Sequence, residues 1–311
     1  MDKNSNIFVA GSRGLVGSAV LRRLRGDGYT NVMTRPHAQL DLREQAAVKA
    51  FFEAEKPEYV FLCAAKVGGI VANNTYRAEF IYDNLMIEAN VIHQSYVSGV
   101  KRLLFLGSSC IYPRDCPQPM REESLLSGPL EKTNEPYAVA KIAGLKMVEA
   151  YNQQYGLNYV SAMPTNMYGP NDNFDLQNSH VLPALVRKAF EAKAAGARQM
   201  VVWGSGKPKR EFLHSGDLAE ALVFLMNSQK APALVNIGSG QEITIGELAR
   251  MVAQESGFAG EMVFDASKPD GTPRKLLDTS VMDALGWKAK VPLREGVRTV
   301  CETYSKQMRD H

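Results

Sequence analysis

With 311 residues, 45% hydrophobic and 22% charged, the chain has the composition of a folded globular protein and enough length for one large core or two lobes sharing one. Its 36 basic and 33 acidic residues leave a formal charge of +3, which argues against a nucleic-acid binder but suits a small anionic ligand. The apolar run YVFLCAA (59–65) is far too short to span a bilayer, and MDKNSNIFVAG enters a strand without the apolar region of a secretory leader, so a cytoplasmic protein off the membrane is expected.

In chain order, short apolar and often β-branched runs alternate with helical patterns. Strands are expected at IFVA (7–10), NVMT (31–34), YVFLCAA (59–65), RLLFLGS (102–108) and YVSAMP (159–164). Between the first two, LVGSAVLRRLRGDG (15–28) places Leu15, Val16, Ala19, Val20 and Leu24 on one helical face. Continuous apolar strands alternating with helices predict a parallel sheet covered on both sides. After Pro164 the rhythm changes. A polar, turn-rich stretch (164–180) precedes helices at 181–196 and 217–228, and ALVNIGSG (233–240) reads as a strand running into a turn. The last seventy-odd residues mix short helices with a loop at 264–278, and Val297, Val300, Cys301, Tyr304 and Met308 form one helical stripe expected in the core. The four cysteines, Cys63, Cys110, Cys116 and Cys301, have no C-x-x-C spacing and no histidine grouping, so reduced thiols and no metal site are expected.

Three motifs carry chemistry. GSRGLVG sets Gly11, Gly14 and Gly17 between the first strand and first helix, where glycines permit a tight turn and close approach of a pyrophosphate to the helix N-terminus. The second strand ends at Arg35 with no carboxylate, and Arg13 lies inside the glycine loop. Two guanidinium groups there suit a 2′-phosphate and point to NADP(H), whereas Asp41 is expected nearer the adenine. The third motif is YAVAK: of the 12 tyrosines, only Tyr137 has a lysine, Lys141, four residues on, which puts both on one helical face. Asn134 and Pro136 provide a start for that helix. An ammonium beside a phenol favours the phenolate, so Tyr137 is expected to have a lowered pKa and to act as an acid/base.

Together with Ser108 at a strand end and WGSGKPKREFLHSGDLA (203–219), these motifs make the chain resemble the extended short-chain dehydrogenase/reductases over essentially its full length. The resemblance implies a Rossmann-type doubly wound α/β sheet binding the cofactor, residues 1–165 plus about 212–238. A smaller mixed α/β C-terminal domain, about 166–211 plus 239–311, would bind a nucleoside-diphosphate sugar.

The residues after Ser108 separate the reactions this family performs on 4-keto sugars. A dehydratase uses an acidic pair there; this chain has Ser109 and Cys110. Inverting carbons beside a ketone needs a base and an acid on opposite faces, and Cys110 and His180 are candidates. Taken alone, a strand-end cysteine is more often buried packing, and a lone histidine at a helix start is more often a cap. GSSCIYP, AAKVGGIVANNTY (64–76), MPTNMYGPNDNF (163–174) and NSHVLPAL (178–185) resemble a subfamily of 3,5-epimerase/4-reductases acting on a GDP-linked 4-keto-6-deoxy sugar. That likeness implies Ser108, Cys110, Tyr137, Lys141 and His180 as the catalytic set. It implies NADP(H) contacts from Gly11, Ser12, Arg13, Gly14, Leu15, Val16, Gly17, Arg35, His37, Asp41, Leu42, Leu106, Gly107, Ser108, Ser109, Lys141, Pro164, Thr165, Asn166, Met167 and His180. Lys188, Trp203, Arg210 and Asp270 would contact the GDP-sugar, with no nucleic-acid or membrane partner. His37 stands where the family often carries a second arginine. A homodimer through a bundle including the Tyr137 helix is also implied.

Overall fold

The computed structural model describes residues 1–176, 179–268 and 270–309. The chain runs β1 (Ile7–Ala10), α1 (Leu15–Gly26), β2 (Val32–Met33), α2 (Gln45–Glu55), β3 (Tyr59–Leu62), α3 (Ile70–Thr75), α4 (Arg77–Val97), β4 (Arg102–Leu106), α5 (Glu135–Tyr155) and β5 (Val160–Pro164). It continues through β6 (Asn166–Tyr168), α6 (Val181–Ala194), β7 (Gln199–Trp203), β8 (Lys209–His214), α7 (Ser215–Asn227) and β9 (Leu234–Ile237). The last elements are β10 (Glu242–Thr244), α8 (Ile245–Ser256), β11 (Glu261–Asp265), β12 (Arg274–Lys275), α9 (Ser280–Leu285) and α10 (Leu293–Arg309). No helix among the described residues is long and apolar enough to cross a membrane.

Six strands form a parallel sheet in the order β2-β1-β3-β4-β5-β9. Successive side chains of a strand point to opposite faces, and both faces here are buried. Ile7 and Val9, with Leu104 and Leu106, pack on Val20 and Leu24 of α1 and on Leu218 and Leu222 of α7. Phe8, Leu103 and Phe105 pack on the other side against Phe52 of α2, Val91 and Ile92 of α4, and Leu145 of α5. That two-sided burial explains why the strands read as unbroken apolar runs. The chain leaves β1 toward β2 and then crosses back to β3, so a crevice opens beyond the carboxyl ends of β1 and β3.

The remaining strands build smaller sheets. β8 pairs with β10, β12 and β6, and β7 pairs with β11. A third apolar cluster joins Leu185 and Val186 of α6, Leu248 and Val252 of α8, and Val297, Val300 and Cys301 of α10. Three expectations need correction. The second strand is only Val32–Met33, because it is an edge strand held by β1 alone. The segment 264–278 is not all loop: β11 extends to Asp265, and Arg274–Lys275 pairs in parallel with Lys209–Arg210 of β8. Met308 leaves the core stripe and is 42% exposed, since the helix outruns its neighbours.

Candidate active site

A single cleft of about 1280 Å³ runs from the crevice beyond β1 and β3 to the walls formed by α6, β7, β8 and the 268–275 segment. Pockets for one ligand are typically about 300–1,000 Å³, so this one has room for two adjoining ligands. Every candidate catalytic, cofactor and substrate residue named from the sequence lines it, from Gly11 through Tyr137 and His180 to Asp270.

At the dinucleotide end, Gly11 has φ +81°, and a Cβ there would stand 2.7 Å from the Ala64 backbone. A Cβ on Gly17 would fall 2.1 Å from the Gly11 carbonyl oxygen. Both glycines are therefore steric requirements of the turn. The N-terminus of α1 has no side-chain cap and no acidic residue in its first turn, which leaves its N–H groups available to an anion. Arg13 and Arg35 both line this end of the cleft. Arg35 pairs with Glu55 and lies 5.5 Å from the Phe51 ring centroid. Asp41 is lowered to about 2, first by side-chain hydrogen bonding from Arg43, 2.7 Å away; His37 lies 3.7 Å from it. These features fit NADP(H).

At the centre, α5 carries Tyr137 and Lys141 on one face, and the end of β4 carries Ser108. The backbone N–H of Cys110 donates to Ser108 Oγ at 3.3 Å, so Ser108 caps the single helical turn Ser109–Ile111 and fixes the cysteine relative to the serine. Tyr137 packs edge-on to Phe80, centroids 6.2 Å apart. Lys141 is 2% exposed; its ammonium donates to the Leu106 carbonyl at 3.0 Å and lies 3.0 Å from Glu88 Oε1. The expected lowering of the Tyr137 phenol does not occur. Burial raises it well above its ordinary value, Cys110 and Glu88 raise it further, and only the Ser108 hydroxyl pulls it down. Lys141, whose ammonium pairs with Glu88, is not among the groups that lower the phenol. Asn134 stands at the N-cap position just before α5 but its side chain caps nothing; its Oδ1 is buried without a partner among the described residues, and the residue lines the cleft.

Cys110 is 5% exposed. Burial raises its thiol above the ordinary range, while Lys275, the Ser108 hydroxyl and Lys141 draw it back. His180 stands at the start of α6, exposed to the cleft, and makes no capping bond; desolvation by the protein around it, followed by the Lys275 charge, lowers it. Lys275 therefore acts on both the thiol and the imidazole. It was not evident in sequence, since its approach depends on the β12–β8 pairing across more than sixty residues of chain. A basic dipeptide in a glycine- and proline-rich segment was the only local signal.

At the far end, Lys188 lies 4.5 Å and Lys268 5.5 Å from the Trp203 ring centroid, and that ring is 45% exposed. Arg210 donates to the Asp270 carbonyl at 3.3 Å, and the Asp270 carboxylate accepts from the Ser205 N–H and hydroxyl, each at 2.7 Å. Cations flanking an exposed aromatic plane suit a nucleobase and a diphosphate.

A nucleotide-binding parallel sheet with a Ser-Tyr-Lys group at the cleft centre defines the class: the chain belongs to the NAD dependent epimerase/dehydratase family, whose model matches residues 7–238. It is 58% identical over 307 residues to GDP-L-fucose synthase 1 of Arabidopsis thaliana, covering 99% of this chain and 95% of the relative. Identity to GDP-L-fucose synthase of Escherichia coli (strain K12) is 52% over 307 residues, 96% of each chain. A crystal structure of a GDP-L-fucose synthetase from Naegleria fowleri bound to NADP is similar over 99% of this chain and 96% of that one, with TM-score 0.92 and 29% identity.

Proposed function

We propose that this chain converts GDP-4-keto-6-deoxy-D-mannose to GDP-L-fucose, inverting C3 and C5 and then reducing the C4 ketone with NADPH. The observation that carries the reading is a thiol and an imidazole, both biased by Lys275, in the cleft that also holds Ser108, Tyr137 and Lys141. The names and identities of the relatives support the same substrate.

The C4 ketone makes the protons on C3 and C5 acidic. Cys110 Sγ, drawn toward thiolate by Lys275, removes such a proton, and His180 returns one to the opposite face. Ser108 and Tyr137 hydrogen-bond the C4 oxygen while enolate charge develops there. NADPH, when bound, supplies the hydride for C4. Tyr137 then gives its phenolic proton to the C4 oxygen, with Lys141 beside it. One ketone activates both stages, so one site serves both. Lys188, Trp203, Arg210 and Asp270 hold the GDP portion, with Lys275 close to the sugar end.

We assign NADP(H) to the lobe of residues 1–165 plus about 212–238 and the GDP-sugar to about 166–211 plus 239–311. A homodimer and a cytoplasmic location belong to the same reading. The outer faces of α4 and α5 expose Tyr82, Val97, Val139 and Tyr155, which a second copy would cover. The four cysteines are all free, as in a reducing compartment.

The test is incubation with GDP-4-keto-6-deoxymannose and NADPH in deuterated water, following NADPH absorbance and the product's isotope pattern. GDP-fucose deuterated at C3 and C5 is expected. Cys110→Ser should abolish deuterium entry yet still reduce a ketone already epimerised; Tyr137→Phe should slow NADPH oxidation at least a hundredfold. Turnover of UDP- or dTDP-linked ketosugars in preference to the GDP-sugar would overturn the assignment.

A further inference from the structure

A buried carboxylate stands directly behind the Tyr-Lys pair, outside the cleft lining. Glu88, on α4, is 2% exposed and meets Lys141, also 2% exposed, at 3.0 Å. Apart from that ion pair neither carboxylate oxygen has a hydrogen-bond partner among the described residues. The fold makes specific room for it. Gly144 sits one helical turn beyond Lys141 on α5, and a Cβ there would stand 2.6 Å from Glu88 Oε2 and 2.7 Å from Phe105 Cζ. A glycine inside a 21-residue helix costs helix stability, and here its absent side chain admits the carboxylate. Burial pushes the Glu88 carboxyl up and the Lys141 ammonium draws it back, so a charge this deeply buried depends on that one partner.

The charge balance then differs from that of a lone lysine beside a tyrosine. The groups facing Lys141 are Glu88 from α4, Tyr137 from its own helix, Cys63 after β3 and Cys110 after β4. Among them Glu88 is the carboxyl group: burial pushes it up and Lys141 draws it back, and its negative charge adds, after burial and Cys110, to what disfavours phenolate at Tyr137.

We propose that Glu88 is a positioning residue that anchors the Lys141 ammonium beside Tyr137, the phenol that donates to a C4 oxygen during ketone reduction. The role rests on the reductase reading given above, and it gives the site a direction: a tyrosine held as phenol is ready to deliver a proton as hydride arrives.

The experiment is the pH dependence of kcat for NADPH oxidation in Glu88→Gln, which keeps the shape and removes the charge. Without the carboxylate, Tyr137 loses one of the groups that hold its proton and should release it at lower pH. The falling alkaline limb should move down by about one pH unit, with kcat near pH 9 reduced about tenfold and kcat near pH 6 within about threefold of the parent. Deuterium entry at C3 and C5, which uses Cys110 and His180, should continue. An alkaline limb that superimposes on the parent's, or a kcat lowered equally at all pH values, overturns the proposal. Should E88Q fold poorly, Glu88→Asp carries the test. It keeps the charge at shorter reach, so a lowered kcat with an unmoved alkaline limb supports the role, and an unchanged kcat refutes it. A parent enzyme that fails to oxidise NADPH with the GDP-ketosugar refutes the reductase reading itself, which separates the two failures.

Discussion

Replacing Gly17 by alanine is the sharpest probe of the dinucleotide turn. The added Cβ would lie 2.1 Å from the Gly11 carbonyl oxygen, 2.6 Å from its carbon and 3.0 Å from Ser12 Cα. All three are backbone atoms, so no flexible side chain can swing aside, and the turn must open by more than an ångström. Overpacking of this kind costs about 1–3 kcal/mol, and rigid neighbours place G17A at the upper end. For a chain of this length that corresponds to a fall in Tm of roughly 3–6 °C. Because the displaced atoms are those that face the cofactor phosphates, NADPH affinity should also fall about ten- to a hundredfold, or about 1.4–2.7 kcal/mol. The control is Gly14→Ala, whose Cβ would meet only the Gly11 oxygen at 3.5 Å, an ordinary contact. G14A should keep its Tm within roughly 2 °C, since small capping and entropy effects oppose one another. Fluorescence titration with NADPH and thermal melts with and without it measure both quantities. A G17A protein with the parent's Tm and an affinity within twofold would refute the steric argument.

Two further outcomes follow from the charges around the cleft. Lys275 lowers His180 and draws Cys110 toward thiolate; Lys275→Met should therefore raise the His180 imidazole in a proton NMR titration and slow alkylation of Cys110 several-fold at pH 8.5. An unmoved His180 resonance would place Lys275 outside the pair. Burial raises the Asp172 carboxyl to about 7, and its Oδ2 has no partner among the described residues. The folded chain thus holds a proton that an unfolded aspartate, with pKa about 3.9, releases. Stability from this site is complete below about pH 4 and lost as pH rises through 7, so Asp172→Asn should melt above the parent by a margin that grows from pH 5 to 8. A margin constant with pH would contradict the burial argument.

What the sequence determined by itself was whatever depends on near neighbours along the chain. Buried parallel strands are apolar without interruption, so β1, β3, β4 and β5 announced themselves. The glycine spacing was legible because the clash that forbids a side chain at Gly17 is with Gly11, six residues away. Tyr137 and Lys141 share a helical face by their spacing alone, and the resemblance to known enzymes placed Cys110 and His180 beside them. Tertiary structure decided the charges. Lys275 reaches Cys110 and His180 only because β12 pairs with β8, and Glu88 reaches Lys141 only because α4 packs on α5 over Gly144. Electrostatic effects act through space at a few ångströms and ignore sequence distance. For that reason the sequence could name the tyrosine and the lysine, yet gave the wrong sign for the shift of the phenol between them.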